Sequence, residues 1–226
     1  YYFRDIKNLA GLIILTEQQR KDIIARCGEF NNVYCIPHVV DAFPKQVEFN
    51  SRIANKVIAV GRYRPEKNHT LMINIFAKVV EQIPTATLDL YGYGPLEGKL
   101  KQLIRKLGME KNITVNPFTK DIYDKFSKAR ISLLTSQYEA FSLVILESLA
   151  CGCPVISNDI QYGPSGMIEN GENGYLIEKD NESIFVSKII KVLKDERLNA
   201  ELSNNAYKSS QRFSEDNVAP IWKHFI

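Results

Sequence analysis

No apolar run in the sequence approaches a membrane span: the longest, such as 12–15 and 143–146, fall far short of the ~20 residues a transmembrane helix needs. Nothing at the N-terminus has the layout of a signal peptide. There is no initiator Met either; the chain starts at Tyr1, mid-pattern, and is expected to be a fragment of a longer protein. Trp occurs once, His three times and Cys four times in 226 residues. His38, His69 and His224 stand apart with no carboxylate relay, and read as structural or exposed. Cys27, Cys35, Cys151 and Cys153 show no metal-ligand spacing with them, so no metal site is expected. The Cys151-Gly152-Cys153 pair reads as small buried residues closing a helix rather than as a redox or metal pair. Reduced thiols fit a cytoplasmic protein. Neither sign of charge dominates, the net charge being +3. No Lys/Arg block is interleaved with stacking aromatics, which excludes nucleic acid as the expected partner while leaving anionic small ligands open.

What is present is an ordinary globular composition, 45% hydrophobic and 24% charged. A strand at 11–15 precedes a helix over 17–27, with Thr16 as its cap and Gly28 as its stop, and a strand at 33–36 follows. This unit is too small to bury a core alone. The polar stretch 41–55 reads as a linker. Regular alternation then begins, with strands at 56–60, 87–91, 113–115, 131–135, 154–157 and 175–177. Between them lie helices, the first capped by Asn68 and carrying Met72, Ile75, Phe76, Val79, Val80 and Ile83 on one face. A helix over 143–150 is charged only at Glu147 and is therefore expected to be buried. Three amphipathic helices starting near Asn181, Glu196 and Ser214 finish the chain. The fold class expected is α/β: a Rossmann-like parallel sheet with helices on both faces. Such sheets bind ligands at the carboxyl ends of their strands.

Three loops at that edge carry chemistry. Gly61-Arg62-Tyr63-Arg64-Pro65-Glu66-Lys67-Asn68 offers a glycine for a sharp turn and two cations, Arg62 and Lys67, suited to a diphosphate. Taken alone it reads as a solvated basic loop; the next element changes that. Glu139 and Glu147, with seven residues between them, bracket the start of the 143–150 helix, whose free N–H groups favour an anion. A buried Glu147 needs a partner, and a ligand is one candidate. Glycoside hydrolysis by the two carboxylates is disfavoured, because one lies inside a buried helix and the other outside its start. Gly92-Tyr93-Gly94-Pro95 with Gly98 imitates a dinucleotide fingerprint, but its third glycine is one residue late and Pro95 occupies the loop. The next strand ends in Asn116, not an acid that could hold a ribose. The polar loop 159–168, with Gly171, Asn173 and Gly174 after it, is a wall or lid of the same pocket or a connection rich in turn residues.

Gly61-Arg62 with Pro65-Glu66-Lys67-Asn68, then Gly92-Tyr93-Gly94-Pro95, then Glu139 and Glu147, then Ala150-Cys151-Gly152-Cys153-Pro154-Val155-Ile156 resemble the C-terminal half of a GT-B retaining glycosyltransferase of family 4. The loop Tyr162-Gly163-Pro164-Ser165 resembles a narrower subgroup that glycosylates teichoic acids or Ser-rich surface proteins. The resemblance implies that 1–40 is the tail end of an N-terminal acceptor domain, 41–55 a linker, 56–213 the nucleotide-sugar-binding domain and 214–226 a crossover helix with Trp222 left at the surface. It implies catalytic roles for Arg62, Lys67 and Glu139: the two cations hold the leaving diphosphate in place of a metal, and Glu139 contacts the donor sugar. Glu147 would hold the ribose, backbone N–H groups of Phe141, Ser142, Leu143 and Val144 the phosphate, and Gly61, Gly92 and Gly94 would border the donor. No cofactor is expected. The partners implied are a UDP-sugar donor and an acceptor polymer or protein reached through the N-terminal domain, with at most peripheral membrane association of the parent. Two departures bear on the site: Ala140 replaces the usual glycine, and Asn116-Pro117-Phe118-Thr119 stands where a glycine is common. The isolated chain is expected to bind UDP-sugar weakly and to transfer nothing. Two rivals share the architecture: a non-catalytic partner subunit and a sugar-nucleotide epimerase.

Overall fold

The computed structural model describes residues 9–28, 32–40 and 43–225, with the side chains of 224 and 225 left aside. The remaining parts of the 1–40, 41–55 and 214–226 segments lie outside the described residues. Two parallel strands, β1 (Leu12–Ile14) and β2 (Val33–Cys35), flank helix α1 (Glu17–Cys27). The expected Thr16 cap is there as a reciprocal capping box with Gln19, and Gly28 ends the helix at φ 78°.

A six-stranded sheet follows: β3 (Lys56–Val60), β4 (Thr87–Tyr91), β5 (Ile113–Asn116), β6 (Ile131–Leu134), β7 (Val155–Asn158) and β8 (Gly174–Ile177). All its pairings are parallel, in the order β5-β4-β3-β6-β7-β8. The chain runs outward from β3 to β5, then returns to lay β6 on the other side of β3. That reversal opens a crevice at the carboxyl ends of β3 and β6, the place where such sheets take ligands.

Helices cover both faces. On one, α2 (His69–Gln82), α3 (Glu97–Lys106) and α6 (Glu182–Lys194) bury Met72, Phe76, Leu100, Ile104, Phe185 and Ile189 against the sheet. On the other, α4 (Ile122–Lys128), α5 (Leu143–Ala150) and α7 (Glu196–Ser210) bury Phe126, Ile145, Leu146, Leu149 and Ala206. Helix α8 (Glu215–Phe225) closes the described chain, with Ile221 41% and Trp222 39% exposed. No helix among the described residues is long and apolar enough to cross a membrane.

Local expectations are revised at three points. Asn68 stands before α2 but caps nothing with its side chain; it adopts the left-handed conformation (φ 49°). The Thr135 hydroxyl lies 3.0 Å from its carbonyl and 3.1 Å from that of Lys67, so the end of β6 holds the start of α2. Within the polar stretch 43–55, Arg52 is buried. Its guanidinium donates to the carbonyls of Phe126, Ala129 and Cys151, pinning the segment beneath α4 and α5. Finally, α5 is not buried all round: Leu143 is 47% exposed and Val144 and Glu147 are half-buried. Those residues line the crevice, Val144 packing against the core as well.

Candidate donor-binding site

Two cavities adjoin in the crevice. One, of about 530 Å³, is lined by Arg62, Lys67, Glu139, Phe141, Ser142 and their neighbours. The other, of about 400 Å³, is lined by Tyr91, Gly92, Tyr93, Phe118, Thr119 and Glu147 among others. Gly61, Arg62, Leu143 and Val144 border both. Their sizes suit a small-molecule ligand.

The loops are laced together from beneath. Tyr63 is fully buried, and its hydroxyl sits 2.7 Å from the Asn116 carbonyl and 3.0 Å from that of Leu90. Its backbone N–H donates to the Tyr93 carbonyl at 2.8 Å, and the N–H of Gly61 donates to that of Tyr91 at 3.0 Å. Three loop roots are thus held in register by one phenol and its peptide. The His69 ring stands edge-on to Tyr63 at 5.3 Å and lies under Gly61. Burial, with Lys67 adding to it, pushes His69 down to about 4, so its imidazole is neutral at pH 7. Gly61 is not needed for space: it has neither a positive φ nor a crowded Cβ position. Gly92 is, since a Cβ there would lie 2.0 Å from the Gly61 carbonyl oxygen. So is Gly94 (φ 153°), where a Cβ would lie 2.6 Å from the Tyr63 carbonyl oxygen, though Gly94 borders neither cavity.

The charged residues divide in two. Lys67 and Glu139 meet each other, Nζ to Oε1 at 2.5 Å, and the Ser136 hydroxyl donates to the same oxygen at 2.7 Å. Both side chains are largely buried, so the pair is fixed in place. Oε2 of Glu139 and two of the three ammonium donors of Lys67 remain for a ligand. Arg62 is exposed on the shared wall, and its side chain makes no hydrogen bond or ion pair among the described residues. Opposite it, α5 opens at Ser142, in the left-handed conformation (φ 68°) and with a buried hydroxyl that has no partner among the described residues. The first N–H groups of a helix lack intrahelical acceptors and carry the positive end of its dipole. Arg62, the α5 terminus and Ser142 therefore form a wall whose donors and positive charge suit an anion. Glu147 stands one turn further in, bordering the second cavity.

Sequence reasoning missed His38. It lies in the loop after β2, borders the first cavity and meets Phe141 edge-on at 5.3 Å. A lone histidine separated from the other site residues by tens of positions carries no local signal. At the rim of the second cavity, Tyr93 and Phe118 are 57% and 64% exposed with their rings edge-to-face at 6.4 Å. They form an exposed aromatic rim beside the cavity. Cys151 and Cys153 lie outside the site and are buried. Burial pushes their thiols up to about 12 and about 11.

The sequence profile described as "Glycosyl transferases group 1" matches residues 39–209, most of the chain, including Arg62, Lys67, Glu139 and Glu147. The chain belongs to that family. It is 30% identical over 221 residues to a poly(glycerol-phosphate) alpha-glucosyltransferase of Bacillus subtilis, covering 97% of this chain and 33% of that protein. A poly(ribitol-phosphate) alpha-N-acetylglucosaminyltransferase of Staphylococcus aureus is 28% identical over 224 residues, covering 98% of this chain and 45% of the relative. Among solved structures, a mutant of S. aureus TarM in complex with fondaparinux, alpha-GlcNAc-glycerol and UDP matches with a TM-score of 0.91 at 27% identity, over 100% of this chain and 45% of that one. The chain thus spans less than half the length of these relatives. Family and GT-B fold agree with the resemblance drawn from the motifs, and the chain corresponds to the C-terminal type of domain.

Proposed function

We propose that this glycosyltransferase chain is the donor-binding part of a retaining enzyme that moves a hexose or N-acetylhexosamine from a UDP-sugar to a cell-surface polymer or protein. One observation carries the reading. Two adjoining cavities at the sheet's switch point are divided by a wall made of Arg62 and the open α5 terminus, with Glu139 beyond one side and Glu147 beyond the other. A diphosphate fits that wall, a ribose reaches Glu147, a pyrimidine lies by Tyr93 and Phe118, and a sugar meets the Lys67–Glu139 pair. Arg62 and Lys67 place positive charge where the leaving diphosphate gains negative charge, which is electrostatic catalysis by fixed groups. The bond from the anomeric carbon to the phosphate oxygen breaks. The acceptor oxygen bonds to that carbon on the same face, and its proton passes to the departing phosphate. A UDP complex among the similar structures and the polymer acceptors in the relatives' names support donor and acceptor class.

The test uses the full-length protein with UDP-glucose or UDP-N-acetylglucosamine and a poly(polyol phosphate) acceptor. An α-linked product from the α-linked donor is expected. A β-linked product contradicts retention, and an epimerised donor without transfer contradicts the transferase reading. Within the site, Glu147→Ala is expected to weaken UDP binding about tenfold, the cost of losing a hydrogen bond to a charged group. An unchanged dissociation constant removes the ribose role.

A further inference from the structure

One strained peptide lies beside the sugar end of the site. Tyr162 has φ 66° and ψ −172°, a region populated essentially by glycine that persists only where surrounding contacts impose it. Those contacts come from α1. The Tyr162 hydroxyl donates to Oδ2 of Asp22 at 2.5 Å, and Nε2 of Gln161 donates to the same oxygen at 2.7 Å. The next residue, Gly163, has φ 56° and abuts the segment carrying Glu139. A Cβ on it would lie 3.0 Å from Cβ of Glu139 and 3.3 Å from the Phe141 carbonyl oxygen. The same helix also holds the other side of that segment, since Nε2 of Gln19 donates to the Ala140 carbonyl at 3.2 Å. Oε1 of Gln19 accepts from the N–H groups of Leu15 and Thr16, so this arm is itself immobilised.

We propose that Asp22 is a positioning residue: acting through Tyr162 and Gly163, it presses the Glu139 segment into the geometry that meets the donor sugar. The proposal rests on the donor-site reading above. Neither Asp22 nor Tyr162 borders either cavity, so their influence on a donor runs through Glu139. Releasing the Tyr162 hydroxyl lets the strained peptide relax and Gly163 withdraw. Glu139 then keeps Lys67 and Ser136 but loses the support behind its Cβ. The atoms nearest a Cβ on Gly163 belong to Glu139 and Phe141, not to Arg62 or Glu147. A sequence reading has no access to this latch, because Asp22 and Tyr162 are 140 positions apart.

The experiment compares Asp22→Ala, Tyr162→Phe and Asp22→Asn in the full-length protein. UDP affinity is expected to stay within about twofold of wild type while kcat for sugar transfer falls about tenfold in the first two variants, the separation expected of a group that acts only on the sugar-dependent step. Asp22→Asn is expected to recover most of the rate, because its amide oxygen still accepts from Tyr162. Amide hydrogen exchange gives a readout that needs no nucleotide: residues 139–142 and 161–166 are expected to exchange faster in Asp22→Ala. An unchanged kcat with normal UDP binding overturns the proposal. So does a parallel loss of UDP affinity and kcat, which marks a general structural role. If the wild type binds no UDP, the donor reading fails by itself, and the exchange data judge the latch: unchanged exchange overturns it and faster exchange upholds it.

Discussion

Gly92→Ala is expected to cost roughly 3 kcal/mol or more of folding stability, and UDP binding with it. The added Cβ would sit 2.0 Å from the carbonyl oxygen and 3.0 Å from the carbonyl carbon of Gly61. Both are backbone atoms, so no side chain can swing aside. The Gly61 peptide cannot retreat cheaply either, because its N–H is bonded to Tyr91 and the following residues are tied to Tyr93 and Asn116 through Tyr63. Relief therefore moves the loop that carries Arg62 and Lys67. Urea unfolding reads the stability, and titration with UDP reads the site. Gly98→Ala is the control. That glycine is exposed within α3, with nothing within 4 Å of its Cβ position. It is expected to gain about 0.5–1 kcal/mol, the usual difference between the two residues inside a helix. Equal behaviour of the two variants contradicts the close approach of the loops.

Acid sensitivity centred on His69 is the second large effect. Its pKa drops from the ordinary 6.5 to about 4 in the folded protein, mainly through burial and further through Lys67. Above pH 6.5 the imidazole is neutral in folded and unfolded chains alike, and contributes no pH dependence. Between 6.5 and 4 the unfolded chain takes up a proton that the folded chain refuses, so stability falls as the pH falls. The loss levels off below 4, when both forms are protonated. Its full size is ~3 kcal/mol, from the gap between the two pKa values. His69→Phe keeps a ring against Tyr63 and removes the titration, together with a buried Nδ1 that has no partner. Urea unfolding at pH 7, 5.5 and 4 is expected to show the variant losing less stability on acidification than the wild type, by about that amount. Identical pH profiles would show that His69 does not carry the proton linkage.

The parts of the molecule that were legible in the sequence are those that local patterning controls. The spacing of Met72, Ile75, Phe76 and Val79 defines the buried face of α2, and Thr16 with Gln19 sets the start of α1. The loops after β3 and β6 could be picked out because their charges break otherwise apolar runs at strand ends. The illegible parts depend on contacts between distant segments. Asn68 reads as a side-chain cap, yet its side chain makes no cap bond, and the hydroxyl of Thr135, just past β6, lies against its carbonyl. Arg52 sits in a polar stretch that reads as linker, yet it is buried on three carbonyls from 74 to 99 positions away. Lys67 and Glu139 were each assigned to a ligand, and the fold pairs them with one another across 72 positions. The helix over 143–150 reads as buried because apolarity alone does not separate a core face from a ligand-facing one. The crevice exposes Leu143 and admits Glu147 to the second cavity.

The claim on which everything else depends is that Arg62, Lys67 and the start of α5 hold a nucleoside diphosphate. Calorimetric titration of the chain with UDP tests it most directly. Binding of one UDP per chain is expected, weakened at least about tenfold in Arg62→Ala/Lys67→Ala through the loss of two charge-assisted contacts. No binding to the wild-type chain, or equal affinity in the double variant, would contradict it.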